Sequence, residues 1–234
     1  MNTPHSPHTL QVSLRECRLV LERLMQVIGT PPGMVPALRD CALYSAALEL
    51  GGFNALQQHL HMLENSAAAP LTQDHPHGVI DCTGQHAWRV ADSLLDLLAD
   101  DFQCHGSARL IVTNVQAPDE LRVIQALGER YGLHVTVSTT GQGIALEAQP
   151  RAAIAPATLQ RVRAQGLSVD EGLWWTLFNR ANEALAPDSF ESRRHAGSIM
   201  VDAEGRLVGR PDEDETDLSL LMAGVAAGTT APTH

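Results

Sequence analysis

The residues best suited to chemistry lie toward the C-terminal end, where Ser189, Ser192, Arg193, Arg194, His195, Gly197 and Ser198 fall within ten positions. Adjacent guanidiniums offer planar donor forks that match a carboxylate or phosphate, and small residues let backbone amides approach an anion. His195 adds an imidazole, the side chain type that changes charge near neutral pH. Asp202 follows in a hairpin-like run from Ile199 to Val208. The stretch reads as a binding loop for a small anion. The alternative is a surface loop whose arginines pair with local carboxylates, such as Asp212-Glu213-Asp214-Glu215.

Other constellations are poorer. His75-Pro76-His77 lies near Asp74, Asp81, Cys82 and His86, and Cys104-His105 adds two more ligand types, but the paired spacings of zinc sites are missing. His59 and His61 on one helix point apart. No metal and no cofactor is therefore expected. Cys82, after a strand and before a helix, stands where a reactive thiol could sit at a helix N-terminus, or it is a buried structural thiol. Gly141-Gln142-Gly143 lacks the third glycine and following helix of a dinucleotide loop, so it reads as a turn.

Composition removes whole classes. The 234 residues carry 16 basic side chains against 27 acidic ones, a formal charge of −11, which opposes nonspecific nucleic-acid binding. Every basic residue is arginine. Without lysine there is no Schiff base to pyridoxal phosphate and no P-loop lysine. Met1–Thr9 has neither the basic nor the apolar region of a secretory signal, and Leu218–Ala227 is too short to span a bilayer. Cys17, Cys41, Cys82 and Cys104 are scattered and read as reduced thiols. A cytoplasmic protein without membrane contact is the expectation.

The elements that position these residues show in the hydrophobic period. Ser13 and Glu16 form a capping box, and Leu14, Cys17, Leu21, Leu24, Met25 and Ile28 follow on one helical face. A second helix, Val35–Leu50, presents small residues and stops at Gly51-Gly52, and a third spans Ala55–Leu63. Ala67–Pro76 reads as a linker. A strand at 78–82, a helix at 86–102, a strand at 109–115, a helix after Pro118 and a hairpin from Leu133 to Ala148 give the order β-α-β-α-β-β. Ser168 would cap a helix to Leu185 carrying Trp174 and Trp175. The expected fold is α/β (α+β): an N-terminal helical bundle packed on a β-α-β-α-β-β sandwich, with a C-terminal helix and loop. The expected divisions are 1–66, 78–149, 168–210 and an acidic, partly disordered tail at 211–234.

Val12-Ser13-Leu14-x-Glu16, the Gly-Thr-Pro break and a second helix ending in Gly51-Gly52 resemble the start of the bacterial family called domain of unknown function 3726. Pro187, Ser189, Ser192 and Arg193 resemble its C-terminal pattern, with the glycine run altered to Ala196-Gly197-Ser198. The resemblance implies no activity. A fainter resemblance is to type 2 malate/L-lactate dehydrogenases, through the opening helices and Val201–Arg206. Phe53-Asn54 replace that family's Ser-His-Gly motif and a catalytic lysine is impossible, which implies a reduced relative without hydride transfer.

Two readings follow. In the first, the protein binds an anionic small metabolite, a carboxylate or phosphate, through the Ser189–Asp202 loop against the α/β domain. In the second, it is a non-catalytic subunit or dimerisation module, a homodimer or hetero-oligomer, with Trp174, Trp175 and the Val35–Leu50 helix as its interface.

Overall fold

The computed structural model describes residues 8–66, 68–74, 79–185, 199–201 and 207–209. The chain divides into two compact units, Met1–Leu185 and Ala186–His234.

The first unit opens with a short strand, β1 (Thr9–Val12), and α1 (Leu14–Val27). The capping box forms: the Ser13 hydroxyl accepts from the Glu16 N–H, and the Glu16 carboxylate accepts from the Ser13 N–H. Helix α2 (Val35–Ala47) and α3 (Gly52–Glu64) follow. Around α2, Leu38, Asp40, Cys41, Ala42, Leu43, Tyr44, Ser45 and Ala47 are all buried. Such a helix has no free side, because α1, α3, α4 (Ala87–His105), α5 (Val123–Leu127) and α6 (Thr158–Gln165) pack around it. The expectation of an interface on this helix is corrected accordingly.

Strands β2 (Thr72–Asp74), β3 (Val79–His86), β4 (Ala108–Gln116), β5 (Leu133–Thr140) and β6 (Gly143–Pro150) form one mixed sheet in the order β2-β3-β4-β6-β5. Only β3 and β4 run parallel, as the right length of crossover through α4 requires. The hairpin joins Thr140 to Gly143 across Gly141-Gln142. Helix α4 packs on β3, β4 and β6, and α5 on β5. Ala108, Leu110 and Val112 are buried on the helix side, whereas the cross-strand pair Arg109–Glu147 sits on the other face at 3.4 Å. Trp88, Ala91, Leu94, Leu95 and Leu98 of α4 are buried together, as their spacing requires. The mixed α/β architecture thus matches the pattern, with β2 added where a linker was expected.

Three details differ. The helix expected after Pro118 is broken into a 3-10 turn (Pro118–Arg122), the short α5 and a second 3-10 turn (Gly128–Tyr131). Ser168 does not cap a helix: it lies in β7 (Leu167–Asp170), which pairs antiparallel with β1. Asp170 caps α7 (Glu171–Ala181) instead, accepting from the Leu173 N–H at 2.9 Å. Gly166, at φ +76°, lets the chain pass from α6 (Thr158–Gln165) into β7 against β1, because a Cβ there would meet the Val12 carbonyl oxygen at 2.7 Å. The adjacent tryptophans separate as well. Trp174 is buried edge-on against Phe53, with ring centroids 5.9 Å apart, and Trp175 is 47% exposed beside Phe178. Trp174 is therefore core, not interface.

In the second unit, β8 (Ile199–Val201) pairs antiparallel with β9 (Leu207–Gly209), the hairpin expected from the sequence. Among the described residues, no helix is long and apolar enough to cross a membrane.

Trp174→Ala should cost roughly 3–5 kcal/mol, as for a large aromatic removed from a core, and Trp175→Ala less than about 1 kcal/mol. Urea unfolding of the two variants checks the difference.

Candidate functional site

Ser189, Ser192, Arg193, Arg194, His195, Gly197, Ser198 and Asp202 all lie outside the described residues, although β8, which stands between Ser198 and Asp202, is described. His75 and His77 lie outside as well. Among the described residues, no three His, Cys, Asp or Glu side chains converge as a metal-binding group.

The described residues place their ionisable chemistry elsewhere, in a buried network that begins at the junction of β3 and α4. His86 is the N-cap of α4, and its Nδ1 accepts from the Trp88 backbone N–H at 3.1 Å. That nitrogen therefore bears no proton, and the ring carries its hydrogen on Nε2. Nε2 donates to His59 Nδ1 at 3.1 Å. The proton of His59 consequently sits on its Nε2, which lies 3.3 Å from Glu120 Oε1 in a contact less well aligned than a full hydrogen bond. One tautomer assignment satisfies the series: backbone N–H, His86, His59, carboxylate.

Glu120 comes from the 3-10 turn after β4 and is only 4% exposed. Its Oε2 accepts from the Trp88 indole N–H at 2.9 Å and its Oε1 from the Gly51 N–H at 3.1 Å. Burial alone would raise its pKa, but contacts from His59, Ser45, Trp88 and Gly51 outweigh it and hold the carboxyl at about 2. His86 is fully buried, and desolvation, reinforced by His59, pushes its pKa down to about 4. Gly51 leaves room for the arrangement: a Cβ there would stand 3.0 Å from both Glu120 Oε1 and His59 Nε2. Sealed from solvent, these groups work as a structural relay. The sequence offered two faint signals for them, a histidine directly before an apolar helix and a glutamate in the first turn after Pro118.

Cys82 sits inside β3, buried, within the register shift between Asp81 and Gln85, while α4 starts only at Ala87. Burial pushes its thiol up to about 11. The reactive-thiol alternative is thereby removed. Beside it, Thr83 and Asn114 take positive φ, and the Asp81 carboxylate accepts from the Thr83 N–H and the Asn114 amide. His59 is buried and His61 exposed, as their separation of two residues implies.

A cleft of about 560 Å³ opens between α1, α2, the Gly128–Tyr131 turn and α6, and three arginines line it. A second, of about 460 Å³, lies over Gly51-Gly52 beside Glu49, Ser168 and Asp170.

No protein-family model and no curated protein matches this chain. Solved structures with partial similarity include two enzymes. Both are malate dehydrogenases. The one from Pyrococcus horikoshii OT3 is 13% identical with a TM-score of 0.45, over 99% of this chain and 86% of that one. The one from Entamoeba histolytica is 10% identical with a TM-score of 0.43, over 73% of this chain, which spans 61% of the enzyme's length.

The network sets a pH dependence. His86 binds a proton at 6.5 when unfolded and at about 4 when folded, so stability falls as pH drops from about 6.5 to 4. Glu120, lowered from 4.5 to about 2, extends the loss below pH 4.5. His86→Asn keeps a capping side chain without a titrating ring. Its urea midpoint should change less between pH 7 and pH 5 than that of the unmodified chain.

Proposed function

We propose that this protein binds a small anionic metabolite, a carboxylate or phosphate, through the Ser189–Asp202 stretch. The observation that carries the reading is the run itself. Arg193 and Arg194 stand among Ser189, Ser192 and Ser198, beside Gly197, in a chain of net charge −11. The run leads directly into β8, whose pairing with β9 brings the start of the hairpin back alongside its end. In this reading Arg193 and Arg194 supply the charge, the serines and Gly197 supply donors, and His195 is of a type that holds or releases a proton near neutral pH. Kinship with the domain of unknown function 3726 family, on Pro187, Ser189, Ser192 and Arg193, belongs to the same proposal.

A thermal-shift screen against carboxylates and phosphates tests it. A ligand at about 100 times its dissociation constant adds roughly 2.7 kcal/mol, a rise of very roughly 5–11 °C for a domain of this size. The rise should fall clearly in Arg193→Ala while the unliganded melting temperature stays unchanged. An equal rise in the variant would remove the loop from the site.

A further inference from the structure

The arginine-lined cleft of the first unit does not depend on the Ser189–Asp202 reading. It contains two carboxylates, and both are already engaged. Asp40 accepts from Arg39 Nε at 2.9 Å and from Arg130. Glu129 receives the Thr158 N–H at 3.1 Å and its hydroxyl at 2.8 Å at the start of α6, with Arg151 3.4 Å away. Arg130 is fixed further, its guanidinium lying 5.7 Å from the centroid of the Tyr44 ring. The remaining two arginines are different. Arg18, on α1, and Arg163, on α6, form no ion pair among the described residues. Arg18 Nε is also shut off from solvent without a hydrogen-bond partner there. A buried unpaired donor in a native structure calls for an acceptor.

We infer that this cleft is an anion-binding site, in which Arg18 and Arg163 together hold an oxyanion. Two cationic side chains from different helices face one concavity whose own acids are spent, so the local field is positive in an acidic chain. A guanidinium edge accommodates two oxygens of a phosphate or carboxylate. The cleft volume of about 560 Å³ suits a small metabolite carrying that group. Asp40 and Glu129, neutralised by their own arginines, form walls that repel little.

Isothermal titration of the full chain with inorganic phosphate, and separately with succinate, tests the site and tells the two oxyanion sources apart. At least one probe should bind at millimolar concentration, more weakly as sodium chloride is raised. Arg163 is exposed, so Arg163→Ala leaves the fold intact and should weaken binding by roughly tenfold, the loss of one charge-assisted contact. Adding Arg18→Gln, which keeps most of the stem, should abolish the binding that the Arg193→Ala, Arg194→Ala chain retains. The Arg193→Ala, Arg194→Ala chain should retain this affinity, which separates the cleft from the loop. Failure of both probes to bind the unmodified chain, or unchanged affinity in Arg163→Ala with Arg18→Gln, would overturn the inference. So would loss of binding in the Arg193, Arg194 variant alone.

Discussion

One ionised carboxylate governs how the helices of the first unit sit. Glu120 is buried, and a buried charge costs several kcal/mol unless enough donors reach it. The groups that hold it come from three helices: Gly51 at the start of α3 and Trp88 on α4 donate to it, His59 on α3 lies 3.3 Å away, and Ser45 on α2 stands beside it. The acid itself hangs from the turn that leaves β4. Helices that share only apolar contacts can slide past one another with little penalty. Here a displacement of any of the three would strip a donor from a charge that water cannot reach, so the polar centre specifies a position that hydrophobic burial leaves open.

This division of labour separates the inside from the outside. The interior around α2 is largely apolar; its buried polar side chains are those of the Glu120 network and Asp40, which meets Arg39 and Arg130, and the arginines keep mostly to the periphery. Five of the twelve arginines among the described residues pair with carboxylates: Arg39 with Glu22 and Asp40, Arg109 with Glu147, Arg130 with Asp40, Arg151 with Glu129 and Arg161 with Glu49. Arg18 and Arg163 are set apart by facing one cleft together, with Arg18 Nε buried and without a partner among the described residues, and adjacency likewise singles out Arg193-Arg194 in the sequence.

Much of the scaffold was legible because it is written locally. The Ser13–Glu16 box, the stripe of Leu94, Leu95 and Leu98, and the alternation on both sides of Gly141-Gln142 depend on neighbours within a few residues. The pairing of β1 with β7 was not legible. It joins two four-residue strands separated by some 150 positions, and nothing in Thr9–Val12 names its partner. Ser168 illustrates the consequence, since a residue suited to capping was drawn into that ladder and the role passed to Asp170. The His59–His86–Glu120 series was invisible for a different reason. Polar residues carry no period, and their meaning depends on which segments meet. The proposed anion loop rests on residue types alone, which is why sequence could nominate it without fixing its geometry.

The cysteines acquire an unexpected use from this packing. Cys17, Cys41 and Cys82 are buried in α1, α2 and β3, and desolvation raises all three thiols, to about 12 for Cys17 and about 11 for Cys82. Cys104, near the end of α4, is exposed. An alkylating reagent at neutral pH therefore meets one accessible sulfur on the native fold, while the other three keep time as internal clocks. The rate at which each becomes labelled measures how often its own layer opens, so the natural sequence already contains a residue-resolved probe of breathing in the helix layer and the sheet.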